Sequence, residues 1–142
     1  MAQSSYLEHL GRIPLFRSCS KKELGIIAKS VDELSVAAGR VLTEQGAAAR
    51  EAFVIVEGDA AVSINGDEVT KLGPGDHFGE LALLDGGPRT ATVTALSDLT
   101  VVVVDQRSFF ALLDEVPGLS RKILATLASI IRDLNQQVPH SS

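Results

Sequence analysis

The sequence predicts a mainly β domain with flanking α elements: an eight-stranded jelly-roll β-barrel with short N-terminal helices, one helix inserted between strands, and C-terminal helices. Three observations predict it. The hydrophobic period is two from about Glu33 to Val104, glycines punctuate that stretch every several residues, and both ends revert to a helical period. A chain of 142 residues is long enough for one compact domain with its own apolar core. Its 45% hydrophobic and 22% charged content is that of an ordinary globule.

The elements divide the chain into a helical segment at 1–32, a strand-built body at 33–105, C-terminal helices at 106–137 and a disordered tail at 138–142. In the head, Tyr6-Leu7 through Leu15-Phe16 are apolar positions interrupted by Gly11 and Pro14, which predicts two short helical turns. Ser20-Lys21-Lys22-Glu23 reads as a capping box, and Leu24, Ile27, Ala28 and Val31 give the helix behind it an apolar stripe. In the body, Leu34/Val36, Val41/Thr43, Phe53/Ile55 and Ala60/Val62/Ile64 alternate as in half-buried strands. Asn65-Gly66 predicts a type I′ hairpin, a turn that needs positive φ at both central residues. A further strand pair is expected at Ala91–Ala95 and Leu99–Val104, joined through Ser97-Asp98. Ser108–Leu113 then predicts one short helix, stopped near Pro117-Gly118, and Leu119–Leu134 a longer one. The apolar stripe of the longer helix (Ile123, Leu124, Leu127, Ile130, Ile131, Leu134) is too wide to face solvent alone.

Composition narrows the function. A net charge of −5 opposes non-specific nucleic-acid binding, so any phosphate recognised must be held by a few placed donors. Cys19 is the single cysteine, which excludes an internal disulfide and fits a reducing, cytoplasmic compartment. The opening Met1–Tyr6 lacks the basic and apolar regions of a signal peptide, and no apolar run is long enough for a bilayer.

One stretch, Gly73–Val93, breaks the strand pattern. A glycine turn is followed by Glu80–Leu84, which suits a short helix, and Pro88 leads into the next strand. A helix N-terminus offers free amides to an anion, and Gly79 allows close backbone approach. Arg89 can fork onto two phosphate oxygens, and Glu80 can accept a hydrogen bond from a ribose 2′-hydroxyl. Each residue alone reads more readily as ordinary structure: Gly-Glu as a turn with a helix-start charge, Arg89 as solvated surface, Pro88 as turn punctuation. Together, around an inserted helix, they make a pair suited to a ribonucleotide.

Phe78-Gly79-Glu80-Leu81-Ala82-Leu83-Leu84 followed by Pro88-Arg89-Thr90-Ala91-Thr92-Val93 resembles the phosphate-binding cassette of the cyclic-nucleotide-binding domain family. That family includes kinase regulatory subunits, cyclic-nucleotide-gated channels and catabolite activators. The resemblance spans about residues 12–134 and places the cassette at 78–93. It implies that Arg89 pairs with the cyclic phosphate, that the Ala82 and Thr90 amides donate to it, and that Glu80 takes the 2′-hydroxyl with the Gly79 backbone alongside. Phe78, Leu81 and Ala91 complete the expected ligand-binding set within the cassette. Leu72 and Val93 are expected apolar contacts for the base, and read equally well as barrel core. Thr90 permits cGMP in family terms, while bacterial relatives with Ser or Thr there bind cAMP; cAMP is the expected ligand and cGMP the alternative. The helices at 106–137 are expected to act as hinge and lid, with Arg132 stacking on the base or Ile131 and Leu134 capping it; Arg132 also reads as a solvated charge near a helix end.

No cofactor is expected, and no enzyme. His9, His77 and His140 form no metal-ligand spacing, and His77 is expected beside the pocket without touching the ligand. No helix-turn-helix module follows the long helix, so DNA binding by this chain is not expected, nor is a membrane; one cysteine cannot hold an iron–sulfur cluster. The expected partner is an effector, in trans or fused, with a homodimer through the C-terminal helix as a further arrangement. A ligand-free docking or dimerisation module keeping the fold is the rival reading.

Overall fold

The computed structural model describes residues 2–137, with side chains from Tyr6 to Gln136; the expected disordered tail at 138–142 lies outside the described residues. Helix α1 (Ala2–Arg12) leads through a 3₁₀ turn at Pro14–Phe16 to α2 (Lys21–Lys29). Strands β1 (Asp32–Val36), β2 (Val41–Thr43), β3 (Glu51–Glu57), β4 (Ala60–Ile64), β5 (Asp67–Leu72) and β6 (His77–Phe78) precede the short helix α3 (Ala82–Asp85). Strands β7 (Thr92–Ala95) and β8 (Leu99–Asp105) and helices α4 (Gln106–Glu115) and α5 (Leu119–Gln137) complete the order.

The strands form two antiparallel four-stranded sheets, β1-β8-β3-β6 and β2-β7-β4-β5, and not the expected closed barrel. The edge strands explain this: β6 has two residues, and β2 has three with a register shift between Val41 and Thr43, too little ladder to join the sheets. The expected pairing of Ala91–Ala95 with Leu99–Val104 is also corrected. Strand β7 pairs with β2 and β4, whereas β8 pairs with β1 and β3. The connection crosses between sheets, because the Leu96 amide donates to the Asp59 carbonyl at 2.9 Å and the Ala38 amide to Asp98 at 3.0 Å.

Two apolar cores share one wall. Phe53, Ile55 and Val101 point between the sheets at Val36, Ala60, Val93, Ala95 and Leu99. Their neighbours Ala52, Val54, Val102 and Val104 point the other way, at Leu10, Ile13, Phe16, Ile27, Leu83, Phe109 and Leu119 of the helices. Strands β3 and β8 are therefore buried on both faces, which is why they read as near-continuous apolar runs and not as the half-buried alternation expected for Phe53/Ile55.

At the head, α1 runs through Gly11 without the expected break, since Gly11 brings the helix against α2, where an added Cβ would lie 3.3 Å from Leu24. The capping box forms as expected: the Glu23 amide donates to Ser20 Oγ at 3.1 Å, and the Ser20 amide to Glu23 Oε1 at 2.8 Å. Tyr6 donates to Glu33 on β1, a bond that with burial pushes its phenol up to about 12. The Asn65-Gly66 hairpin has φ of 54° and 86°, as the turn type requires.

In the tail, α4 is longer than the expected Ser108–Leu113, because Asp105 caps it by accepting from the Ser108 amide at 2.8 Å. Helix α5 packs on the 3₁₀ turn and α4 through Leu119, Ile123 and Thr126. Polar ties continue that contact: Lys122 Nζ to Glu23 Oε1 at 2.7 Å, Thr126 Oγ1 to Ser18 Oγ at 3.0 Å and Arg17 Nη2 to Ser129 Oγ at 2.8 Å. The outer part of its apolar stripe stays exposed at Leu124 (67%), Ile131 (57%) and Leu134 (55%). No described helix is long and apolar enough to cross a membrane.

Two predictions test this frame. Ser20→Ala removes the α2 cap and lowers stability by about 1 kcal/mol in denaturant titration. The Lys122 bond, joined by the Ser20 amide, holds the Glu23 carboxyl below the usual range. Its contribution is thus present above the unfolded carboxylate range, near pH ~4.3, and is lost as pH falls through the lowered native value. Glu23→Gln should flatten that part of the acid-denaturation curve, measured by circular dichroism from pH ~6 to ~2.

Candidate nucleotide site

The site begins where β5 ends. Asp76 Oδ2 accepts from the Gly73 amide at 2.8 Å and closes the glycine turn. The turn is fixed to β3 by Gly75 N–H donating to Ile55 O at 2.7 Å and Ile55 N–H to Asp76 O at 2.9 Å. Strand β6 then pairs His77 with Val54 and Phe78 with Phe53, and the two phenylalanine rings stack at 5.0 Å.

Gly79 follows with φ of 82°, a conformation side chains resist. It is also crowded: an added Cβ would collide with Arg89 Nη1 and approach the Glu51 carbonyl at 3.0 Å. Position 79 therefore admits glycine for two separate reasons. The inserted helix is shorter than the expected Glu80–Leu84. It runs Ala82–Asp85 and ends in a left-handed Gly86. Glu80 and Leu81 form the turn into it, closed by Ala82 N–H to Gly79 O and Leu83 N–H to Glu80 O, both at 3.1 Å. One turn of helix carries little macrodipole, and the Ala82 amide has a backbone acceptor.

Arg89 is placed from the other side. Its amide donates to the Ala47 carbonyl and its carbonyl accepts from the Gly46 amide, each at 2.9 Å, and Pro88 bridges Ala48. With its backbone held on both sides, the side chain turns inward. The guanidinium lies 5.6 Å from the Phe53 ring centroid, within cation–π range, and Nη1 reaches the Gly79 carbonyl at 3.5 Å. Burial lowers its pKa and the charge of Glu51 raises it, with a net decrease. Glu80 is held differently. Burial pushes its carboxyl up, a hydrogen bond and charge from His77 pull it down, and the net effect is below the usual range. His77 Nε2 lies 3.7 Å from Glu80 Oε2.

These residues line one cavity of about 430 Å³. Leu72, Phe78, Gly79, Glu80, Leu81, Ala82, Arg89, Thr90, Ala91 and Val93, all selected from the sequence, lie on its wall. Val93 and Ala82 are buried, whereas Leu81 and Thr90 are exposed at the rim. Arg132 is not brought to the cavity. It is exposed on α5, which packs on the 3₁₀ turn and α4, and it does not line the cavity in this arrangement. Ile131 and Leu134 are likewise outside the wall.

Thr43 and Val62 line the wall from outside the cassette and carry no such expectation from the sequence, nor do Phe53 and Glu51, the neighbours of Arg89. Asp85, Gly87 and Pro88 lie within the expected 78–93 segment without having been singled out. Val62 carried a usable signal, since it opposes Val93 in the β4–β7 ladder. The Phe53 contact had none, because it needs β3 and β6 to be neighbours. His77, expected beside the pocket, lies on the wall itself. Among the described residues no His, Cys, Asp and Glu cluster could hold a metal ion.

Residues 33–116 match the family model described as "Cyclic nucleotide-binding domain". The chain is 40% identical over 123 residues to a cAMP-dependent protein kinase regulatory subunit of Mycosarcoma maydis, covering 80% of this chain and 23% of that protein. It thus spans about a quarter of the length of that relative. The crystal structure of the N-terminal domain of a transcriptional regulator from Streptomyces coelicolor A3(2) superposes with a TM-score of 0.84 at 28% identity, covering 94% of this chain and 97% of that one. The cAMP-bound structure of PfPKA-R superposes with a TM-score of 0.67 at 25% identity, covering 94% of this chain and 47% of that one. The family match takes in more than half of the chain and the whole cavity wall, and this chain belongs to the cyclic nucleotide-binding domain family.

Proposed function

We propose that this chain is a regulatory sensor domain for a cyclic nucleotide, with cAMP as the ligand. Arg89 forks onto the cyclic phosphate, aided by the Thr90 amide and by the Ala82 amide once it is released from the Gly79 carbonyl, and Glu80 accepts from the ribose 2′-hydroxyl beside the Gly79 backbone. Leu72, Val62 and Val93 supply apolar surface for the base. One observation carries the reading: an acid and an arginine line the same cavity, and neither is the other's ionic partner. Glu80 faces His77, and Arg89 reaches the Gly79 carbonyl. A cavity of about 430 Å³ suits a small ligand. The kinase regulatory relative is named as cAMP-dependent, and the PfPKA-R structure is cAMP-bound, which favours cAMP. Thr90, exposed at the cavity rim, favours cGMP as a second reading, since its hydroxyl can accept from a guanine 2-amino group.

Ligand binding then shifts the cassette and, through it, α4 and α5. Gln106 of α4 supports this coupling, because its side chain donates to the Leu83 carbonyl of α3 at 3.3 Å and its amide to Arg50 O at 2.8 Å. An effector, fused or in trans, reads that movement. The exposed Leu124, Ile131 and Leu134 offer a face for lid closure or for a second copy of the chain. The acidic charge disfavours DNA, and a cytoplasmic setting fits the single cysteine.

Calorimetric titration should give binding of cAMP, with cGMP as the comparison; no heat from either at millimolar nucleotide overturns the sensor reading. Arg89→Lys keeps the charge and loses the fork, and should weaken cAMP by roughly 10- to 100-fold. Unchanged affinity would place the phosphate elsewhere. Hydrogen exchange should change in α4 and α5 on adding ligand, and identical protection counts against the coupling.

A further inference from the structure

The proposed function uses Glu80 and Arg89 and leaves the imidazole of His77 without a task. His77 and Glu80 both line the cavity, and their side chains are similarly enclosed, 26% and 24% exposed. The strand pairing aims the imidazole. His77 sits opposite Val54 on β3, Phe78 stacks on Phe53, and the chain turns at Gly79 so that Glu80 comes back within 3.7 Å of the ring.

A carboxylate in this cavity has a difficulty of its own. It is suited to a sugar hydroxyl, yet its charge repels the anionic phosphate that Arg89 is there to hold. A neighbouring imidazole can answer both needs, because it donates a hydrogen bond in either protonation state and carries a charge in one.

We infer that His77 is the positioning residue for Glu80: its imidazole, 3.7 Å from one carboxylate oxygen, closes on that oxygen in the liganded site so that the other faces the ribose 2′-hydroxyl, and when protonated it offsets the Glu80 charge against the anionic ligand. This inference rests on reading the cavity as a cyclic nucleotide site. The lowered pKa of Glu80, in which burial pushes up and His77 together with the Glu80 backbone amide pull down by more, agrees with it.

Other charged groups approach the same segment. Asp85 of α3 and Arg89 lie on the cavity wall. From α1, Arg12 and His9 reach the turn at Gly75, and the Asp76 carboxylate is turned back onto the Gly73 amide. Strand β3 places apolar Val54 opposite His77. His9 is the other histidine in this neighbourhood, and it serves as the control.

The experiment is calorimetric titration of the whole chain with cAMP and with its 2′-deoxy analogue at pH ~6 and ~8. Wild-type affinity for cAMP should be about fivefold higher at the lower pH, and loss of the 2′-hydroxyl should weaken binding by about tenfold. His77→Phe should abolish the pH difference and reduce the penalty for the 2′-deoxy ligand. His77→Gln keeps a donor without a charge, so it should retain the 2′-deoxy penalty and lose the pH difference; it also serves if His77→Phe does not fold. His9→Gln should leave both intact. A pH difference that survives His77→Phe, or a 2′-deoxy penalty that His77→Phe leaves undiminished, overturns the role of His77 while leaving the site reading in place. Failure of the wild type to bind cAMP overturns both.

Discussion

Strand β3 is the constraint on which the remainder depends, because its two faces belong to two cores. Ala52 and Val54 close the layer under the helices, and Phe53 and Ile55 close the space between the sheets. Phe53 does more than fill volume. Phe78 stacks on it and the Arg89 guanidinium lies over it, so the floor of the cavity and the hydrophobic core are one piece. Loss of that ring would disturb packing and cation placement together.

The cation is held by geometry and not by a charge pair. Arg89 is half-buried, its backbone is tied on both sides to the Gly46-Ala47 segment, and among the described residues its guanidinium donors meet only the Gly79 carbonyl at 3.5 Å. Glu51 is near enough to raise its pKa, but burial outweighs it. An arginine left under-satisfied in this way has donor capacity in reserve, the condition for taking an anion with little rearrangement. Gly79 makes the arrangement possible, since any side chain there would occupy the position of the guanidinium.

Local signals were legible in the sequence, and long-range neighbours were not. The Ser20–Glu23 capping box and the Asn65-Gly66 turn are contained within four and two residues, and both form as read. The cassette was legible for the same reason: Phe78 to Val93 are consecutive, and ten of the selected residues reach one wall. Sheet membership of β7 and β8 was hidden, because a short link such as Ser97-Asp98 looks alike whether it makes a hairpin or crosses between sheets. The neighbours of Arg89 and the place of Arg132 were hidden too, since both depend on how separate elements dock. The apolar runs of β3 and β8 did announce burial on both faces, and counting consecutive apolar positions would have found it.

The seam between α5 and the head has a mechanical consequence. Its first turns are anchored by Leu119 and Ile123, with Leu127 packed behind them and the buried Thr126 bonded to Ser18, whereas farther along the seam relies on Arg17–Ser129 and a 4.0 Å approach of Arg17 to Asp133. Water replaces such bonds at small net loss, whereas it cannot replace the buried leucine and isoleucine. The hold on the helix is therefore firmest at Leu119 and weakest toward its C-terminal end. Dissolved ions screen the Arg17–Asp133 approach, so the hold on the far end of this helix weakens with salt while the hold at Leu119 does not.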